Sequence, residues 1–221
     1  GTFAISFWAS SRVKSNYRRF AQVGVASGLT GAQAAAEIMR RAGIMDVTVQ
    51  AQPGELTDHY DPLHKRLVLS DANYHGRSLA AVGIAAHEAG HAIQQAAAYA
   101  PFHLRMASVG ITNIASQAVM WLPLLGLMFF GLNLQIALWI MAIGWGVIMF
   151  FNLVTLPVEF DASARAKKML LATGIVRAGP EAEGVSRMLN AAALTYVAAF
   201  LTSLAYFLWY LLPLLGGRRD D

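Results

Sequence analysis

The chain has 221 residues, room for one compact domain or a small domain joined to a membrane part. Hydrophobic residues make up 56% and charged residues only 14%, with a mean hydropathy of +0.45; a soluble domain carries about 25% charged residues, so this composition excludes an ordinary soluble protein and points to an integral membrane one. The net charge of +4 comes with no aromatic-interleaved basic stripe or nucleic-acid module, so the surplus Lys and Arg record membrane topology rather than a nucleic-acid partner.

In chain order, residues 1–9 are apolar but too short to span a bilayer, which needs about 20 residues. They are the tail of a transmembrane helix or an interfacial anchor, and they lack the features of a signal peptide. Arg12, Lys14, Arg18 and Arg19 follow as a basic membrane flank. Thr30-Gly-Ala-Gln33 has the form of a capping box, opening a helix that runs to Arg41 and stops at Gly43. Residues 47–50, Leu56 to Tyr60 and Arg66 to Ser70 read as strands separated by the turns Pro53-Gly54 and Asp61-Pro62, which predicts a small antiparallel sheet. His59, His64 and His75 lack a helical partner spacing and read as hydrogen-bonded loop histidines rather than ligands.

The apolar run from Ser78 to Ala100 contains His87-Glu88-Ala89-Gly90-His91. Ser78 is a plausible N-cap and Pro101 closes the run, so the pentapeptide lies on a helix. Residues four apart share a helix face, so His87 and His91 can point two imidazoles at one zinc ion. Glu88 sits beside the metal and can take a proton from a zinc-activated water. With no cysteine in the chain, any zinc must be held by His and carboxylate. The alternative, two histidines that merely flank a carboxylate, would place costly polar groups in an apolar helix without a metal.

From Met106 to Phe151 no residue is charged, which is room for two spans. We read a hairpin over 110–130 and 134–151, turning at Gly131 to Asn133. A charged helical stretch with Glu159, Asp161, Ser163, Arg165, Lys167 and Lys168 follows. Gly174 to Gly184 reads as a loop with Pro180, and Asn190 to Leu215 as a further span with Tyr206, Trp209 and Tyr210 as an aromatic belt. The organisation is thus an anchor and basic flank (1–19), a zincin-like domain (20–105), a transmembrane hairpin (106–151), a second catalytic segment (152–189) and a C-terminal span (190–215).

Two histidines need a third protein ligand, with a position left open for water. Glu159 is the best candidate, at the point where the hairpin returns the chain to the same side, with Ser163 one turn on to support a ligand. Its alternative role is an ion pair with nearby basic residues. His103 is the runner-up ligand, but it lies beyond a helix-ending proline and lacks the metzincin pattern.

The chain resembles the YugP-type bacterial membrane zinc metallopeptidases, also described as neutral zinc metallopeptidases. The likeness rests on His59-Tyr60-Asp61-Pro62, Leu67 to Ser70, Ala85 to Gln94, Leu156 to Arg165 and Asn190 to Tyr196. More distantly, Glu159-Phe-Asp-Ala-Ser163 is similar to the Glu-Phe-x-Ala-Asp stretch of HtpX-type gluzincin membrane endopeptidases. There the Glu is the third zinc ligand, which implies the same role for Glu159. Ser163 stands where that pattern has Asp, so a supporting carboxylate is lost or is supplied by Asp161.

Of the 17 basic residues, ten lie in 12–105 and five in 165–187, on the side of His87, His91 and Glu159, while the hairpin tip has none. The positive-inside bias makes that side cytoplasmic, in a multi-pass protein of the bacterial inner membrane. The expected fold is mainly α, with a zincin-like core, the small sheet and transmembrane helices. The expected function is zinc-dependent endopeptidase action on protein or peptide substrates, membrane proteins among them, with one Zn2+, Glu88 as general base, and Tyr196, His59 and Arg165 as candidate oxyanion donors. A strand near Leu56 to Tyr60 offers backbone pairing to substrate. The rival readings are a zinc-binding membrane scaffold without turnover and a transporter with an ion path. Neither requires a carboxylate directly after the first His, and a transporter would be expected to show repeated halves, which are absent from the sequence.

Overall fold

One helix rich in small residues occupies the centre, and the other elements close around it. The computed structural model describes residues 2–55, 57–129, 131 and 133–216. In order these form α1 (Thr2–Ala21), α2 (Gly31–Arg41), β1 (Thr48–Gln52), β2 (His59–Asp61), β3 (Arg66–Ser70), α3 (Asp71–His75), α4 (Leu79–Ala96), α5 (Ala100–Phe129), α6 (Leu134–Ala172) and α7 (Pro180–Gly216). The protein is mainly α-helical, and α5, α6 and α7 are long and apolar enough to cross a membrane.

The central helix is α4. Ala80, Ala85, Ala86 and Ala89 are fully buried, and their small side chains let α2, α6 and α7 approach its axis closely. Ile38 from α2, Leu67 and Leu69 from β3, Leu170 from α6 and Val185 from α7 complete this core. Burying each of these side chains is worth about 1.5–3 kcal/mol. The expected caps form: the Ser78 hydroxyl accepts from the Ala81 N–H at 3.2 Å, and Thr30 and Gln33 make the reciprocal capping box. Gly43 follows α2 at a φ of +75°, a conformation that glycine adopts at least cost.

The sheet has the order β1-β3-β2 and is mixed. The antiparallel pairing holds for β2 and β3, with His59 opposite Val68, but β1 runs parallel to β3, with Thr48 opposite Arg66. The chain reverses between β1 and β2 and again at the Asp61 turn, so β1 and β3 run in the same direction and β3 lies between the other two strands. The short β2 starts at His59; Leu56, where the sequence suggests a strand start, lies outside the described residues. Between β2 and β3, Asp61 Oδ1 accepts from the N–H groups of Leu63 and His64 at 3.1 Å each, fixing the expected turn.

The long helices differ from the sequence expectation in their ends. Residues 2–21 form one helix rather than an apolar stub followed by a flank. Pro101 lies in the first turn of α5, where its missing N–H is no loss, so α5 begins at Ala100 rather than near 110. Most notably, α6 runs unbroken from the hairpin through position 151 and past Pro157 to Ala172. Pro180 likewise opens α7 instead of sitting in a loop, so α7 also runs without a break through position 190. Asn133 caps α6 through Gln135 N–H, while Leu132 of the proposed tip is outside the described residues, as are Arg218 and Arg219. The helices pack antiparallel: Asn152 donates to Ser203 Oγ at 3.1 Å and Lys167 to Asn190 Oδ1 at 3.2 Å across α6 and α7. Tyr206 stacks on Trp145 between the same helices, with ring centroids 4.5 Å apart, while Trp209 faces outward.

Candidate metal centre

Helical spacing puts His87 and His91 one turn apart on α4, with ring centroids 4.8 Å apart. Opposite them α6 presents Glu159, which is only 2% exposed. His87 Nε2 is 3.1 Å from Glu159 Oε2, and His91 Nε2 is 3.7 Å from the same oxygen. Ligand atoms around a tetrahedral zinc at about 2.1 Å are separated by about 3.4 Å, and these two distances straddle that value. Among the described residues these three side chains form the one group of His and carboxylate donors able to hold a metal ion together.

The outer nitrogen of each ring is engaged elsewhere, which fixes its inner face. Gln94, one turn past His91, donates its amide to Val158 O at 2.7 Å and to Asp161 Oδ2 at 2.8 Å. Its carbonyl must therefore accept from His91 Nδ1, at 2.9 Å, leaving the Nε2 lone pair turned inward. Ser163 Oγ sits 3.1 Å from His87 Nδ1, and accepting that proton gives His87 the same tautomer. Two imidazole lone pairs and a carboxylate then converge in a buried space, a donor set that fits a divalent cation such as zinc and is repulsive without one. Asp161 thus supports His91 through Gln94, while Ser163 supports His87 directly.

The close approach of the two helices depends on the glycine of the motif. A Cβ on Gly90 would lie 2.6 Å from the carbonyl oxygen of Ala162, inside contact distance of α6 backbone. Gly90 is therefore what lets the carboxylate of α6 reach the imidazoles of α4.

Glu88 is buried, and burial pushes its carboxyl up to about 7; the nearby Glu159 and Asp58 raise it too, while His87 and His59 act in the opposite direction. It stands in the wall between two cavities. One, of about 160 Å3, is mostly apolar and is walled by Val13 and Tyr17 of α1, Ile84 of α4 and Met188, Ala192 and Ala193 of α7. The other, of about 370 Å3, lies on the side of β2 and α5, with His59, Tyr60, Phe102, Arg105 and Met106 around it. His87, Glu88, Glu159, Tyr196 and Asp58 border both, so the two form a cleft that passes the donor cluster on either side.

The structure places Tyr196 and His59 on this cleft and Arg165 away from it. Arg165 bonds to Asp161 one turn earlier on α6 and stacks over Tyr99, its guanidinium 5.6 Å from the ring centroid. His103 is exposed, edge-on to Phe102, and stands outside the donor cluster. Two residues that sequence spacing does not flag also face the cleft. Asp58 accepts from Ser70 N–H at 2.8 Å and Asn73 Nδ2 at 2.9 Å, tying the segment before β2 to the core. Arg105 Nη1 lies 3.3 Å from Glu159 Oε1, the oxygen turned away from the histidines.

The family model described as "Putative neutral zinc metallopeptidase" matches residues 1–215. This chain belongs to the neutral zinc metallopeptidase family. It is 42% identical over 222 residues to the "Putative membrane protease YugP" of Bacillus subtilis (strain 168), covering 98% of this chain and 95% of that relative. No solved structure matches it. A family named for zinc and peptidase action agrees with the His87, His91 and Glu159 cluster and with the three apolar helices.

Proposed function

We propose that the protein is a membrane-embedded endopeptidase of gluzincin type, with one zinc held by His87, His91 and Glu159 and with Glu88 as general base. The observation that carries this reading is the position of Glu88: buried, adjacent to the donor cluster, and shared by the two halves of the cleft. Zinc bound there would polarise the scissile carbonyl and lower the pKa of water toward about 7. Glu88 takes the proton of the attacking water and passes it to the leaving amine. His87 and His91 keep their inner lone pairs free because Ser163 and Gln94 hold the outer nitrogens. Tyr196 and His59 line the cleft as donors to the carbonyl oxygen. β2 is an edge strand whose His59 and Tyr60 line the larger cavity, which supports binding of an extended protein or peptide substrate as an added strand. The excess of Lys and Arg on the side of the site supports a cytoplasmic catalytic face in a multi-pass inner-membrane protein.

Metal analysis of the purified protein with a peptide-library cleavage assay tests this. Zinc at one per chain with cleavage inside peptides is the expected result, and Glu88→Gln should keep the zinc while kcat falls by about 10²–10⁴-fold. Normal zinc content with no cleavage across the library would leave a metal-binding membrane scaffold instead.

A further inference from the structure

Hydrolysis of an amide places negative charge on one oxygen. The water oxygen bonds to the carbonyl carbon while the π pair moves onto the carbonyl oxygen. That pair returns as the C–N bond breaks and the amine leaves with the proton carried by Glu88. A preorganised positive group beside the carbonyl oxygen is where much of the rate is gained.

Among the residues that line the larger cavity, Arg105 is the one with a permanent positive charge. It reaches the metal pocket from α5, with Nη1 3.3 Å from the outer oxygen of Glu159 and only a quarter of its side chain exposed. A guanidinium has five N–H groups. The contact with Glu159 engages one edge, and Nε is buried with no hydrogen-bond partner among the described residues. Nε has no access to the cleft, so the Nη groups are the donors that can reach a ligand there, and Nη1 already points to the metal pocket. The pairing with Glu159 uses Nη1 alone, and the remaining Nη N–H groups belong to a guanidinium that lines the cavity. Arg165 lacks this freedom, since Asp161 and Tyr99 hold it.

We propose that Arg105 is a catalytic residue whose guanidinium binds the oxyanion of the substrate carbonyl from the α5 side of the cleft. This rests on the peptidase reading above, and it gives to Arg105 the oxyanion role for which the sequence offers Arg165 as a candidate.

The test uses the full chain loaded with zinc, in lipid vesicles, with a peptide that the wild type cleaves. Arg105→Met should lower kcat by about 10²–10³-fold, with KM and zinc content close to wild type. Arg105→Lys, which keeps the charge and the pairing with Glu159, should recover part of the loss and guards against a folding defect. A phosphinic peptide, whose anionic tetrahedral phosphorus imitates the charged oxygen, gives a readout independent of turnover. Its affinity should fall in Arg105→Met by about the same factor as kcat. In a Glu88→Gln background, by contrast, binding of the uncleaved peptide should be unaffected by Arg105→Met. Several results would overturn the proposal while leaving the peptidase standing. Loss of zinc in Arg105→Met would make the arginine a support for the ligand. Unchanged phosphinate affinity would remove the oxyanion contact. A rise in KM confined to peptides with a free terminal carboxylate would make it an end-group anchor. A wild type that cleaves no peptide would overturn the peptidase reading and this proposal together.

Discussion

Glu159 is the first charged side chain after the uncharged run from Met106 to Val158, and Arg105 is the last one before it. Their pairing closes the base of the membrane hairpin at the metal pocket and sets a cation beside the Glu159 oxygen that is turned away from the imidazoles. Glu159→Gln should lower zinc affinity strongly. Ser163→Ala and Gln94→Ala, which free an imidazole to rotate, should each cost about 10–100-fold. Competition against a chelator measures all three; full occupancy in Glu159→Gln alongside an emptied site in His103→Ala would reverse the ligand assignment. Glu88 makes a pH prediction. Burial raises its pKa from 4.5 to about 7 in the metal-free chain, so the folded state prefers it protonated. As pH rises from about 4.5 through 7, ionising it opposes folding, by on the order of 3 kcal/mol at the upper end. Metal-free wild type should therefore lose stability relative to metal-free Glu88→Gln between pH 5 and 8, and thermal melts of the two would show it. A constant difference across that range would mean that Glu88 is not desolvated.

At the scale of elements, the site exists because α4 and α6 touch at Gly90. Gly90→Ala should push the helices apart, costing about 1–3 kcal/mol of stability and lowering zinc affinity although no ligand has changed. Unaltered metal binding in a well-folded Gly90→Ala protein would contradict the close packing seen at Ala162. The sequence makes much of this arrangement legible. The i, i+4 histidines, the Ser78 and Thr30 caps and the turn at Asp61 follow from spacing and local hydrogen bonding. Glu159 follows from the return of charge after an apolar run. Less legible is whatever depends on contacts between distant segments. Arg105 and Glu159 meet across the whole hairpin, so no local pattern announces the pair. Arg165, a candidate oxyanion donor by sequence, is instead held by Asp161 one turn earlier on its own helix, a local ion pair of the kind the sequence also allows. The continuity of α6 is hidden because a change of composition resembles a boundary, and Pro157 resembles a start. The direction of β1 follows from its pairing with β3 rather than with β2, two chain reversals later, which alternating hydropathy does not encode.

At the scale of the whole molecule, the antiparallel order of α5, α6 and α7 puts both ends of the hairpin on the side of the metal pocket. Single cysteines report on this cleanly because the chain has none of its own. In sealed vesicles, Lys65→Cys and Arg177→Cys should react with an impermeant thiol reagent from the same side, and Asn133→Cys from the other. Reaction of the first two from opposite sides would overturn the arrangement. The unbroken course of α6 has a mechanical consequence as well. Its uncharged part, Leu134 to Val158, is about 37 Å long against a hydrocarbon layer of about 30 Å. The excess is taken up by tilt or by local thickening of the bilayer, so α6 responds both to the helices packed on it and to the lipid thickness. The jaws of the zinc clamp are mounted differently: the imidazoles on α4, the carboxylate on a helix that packs on α4 at Gly90 and is also long enough to cross the bilayer. Such a device is a caliper whose gap is adjusted from outside the protein, and lipid chain length should tune how tightly it grips its metal.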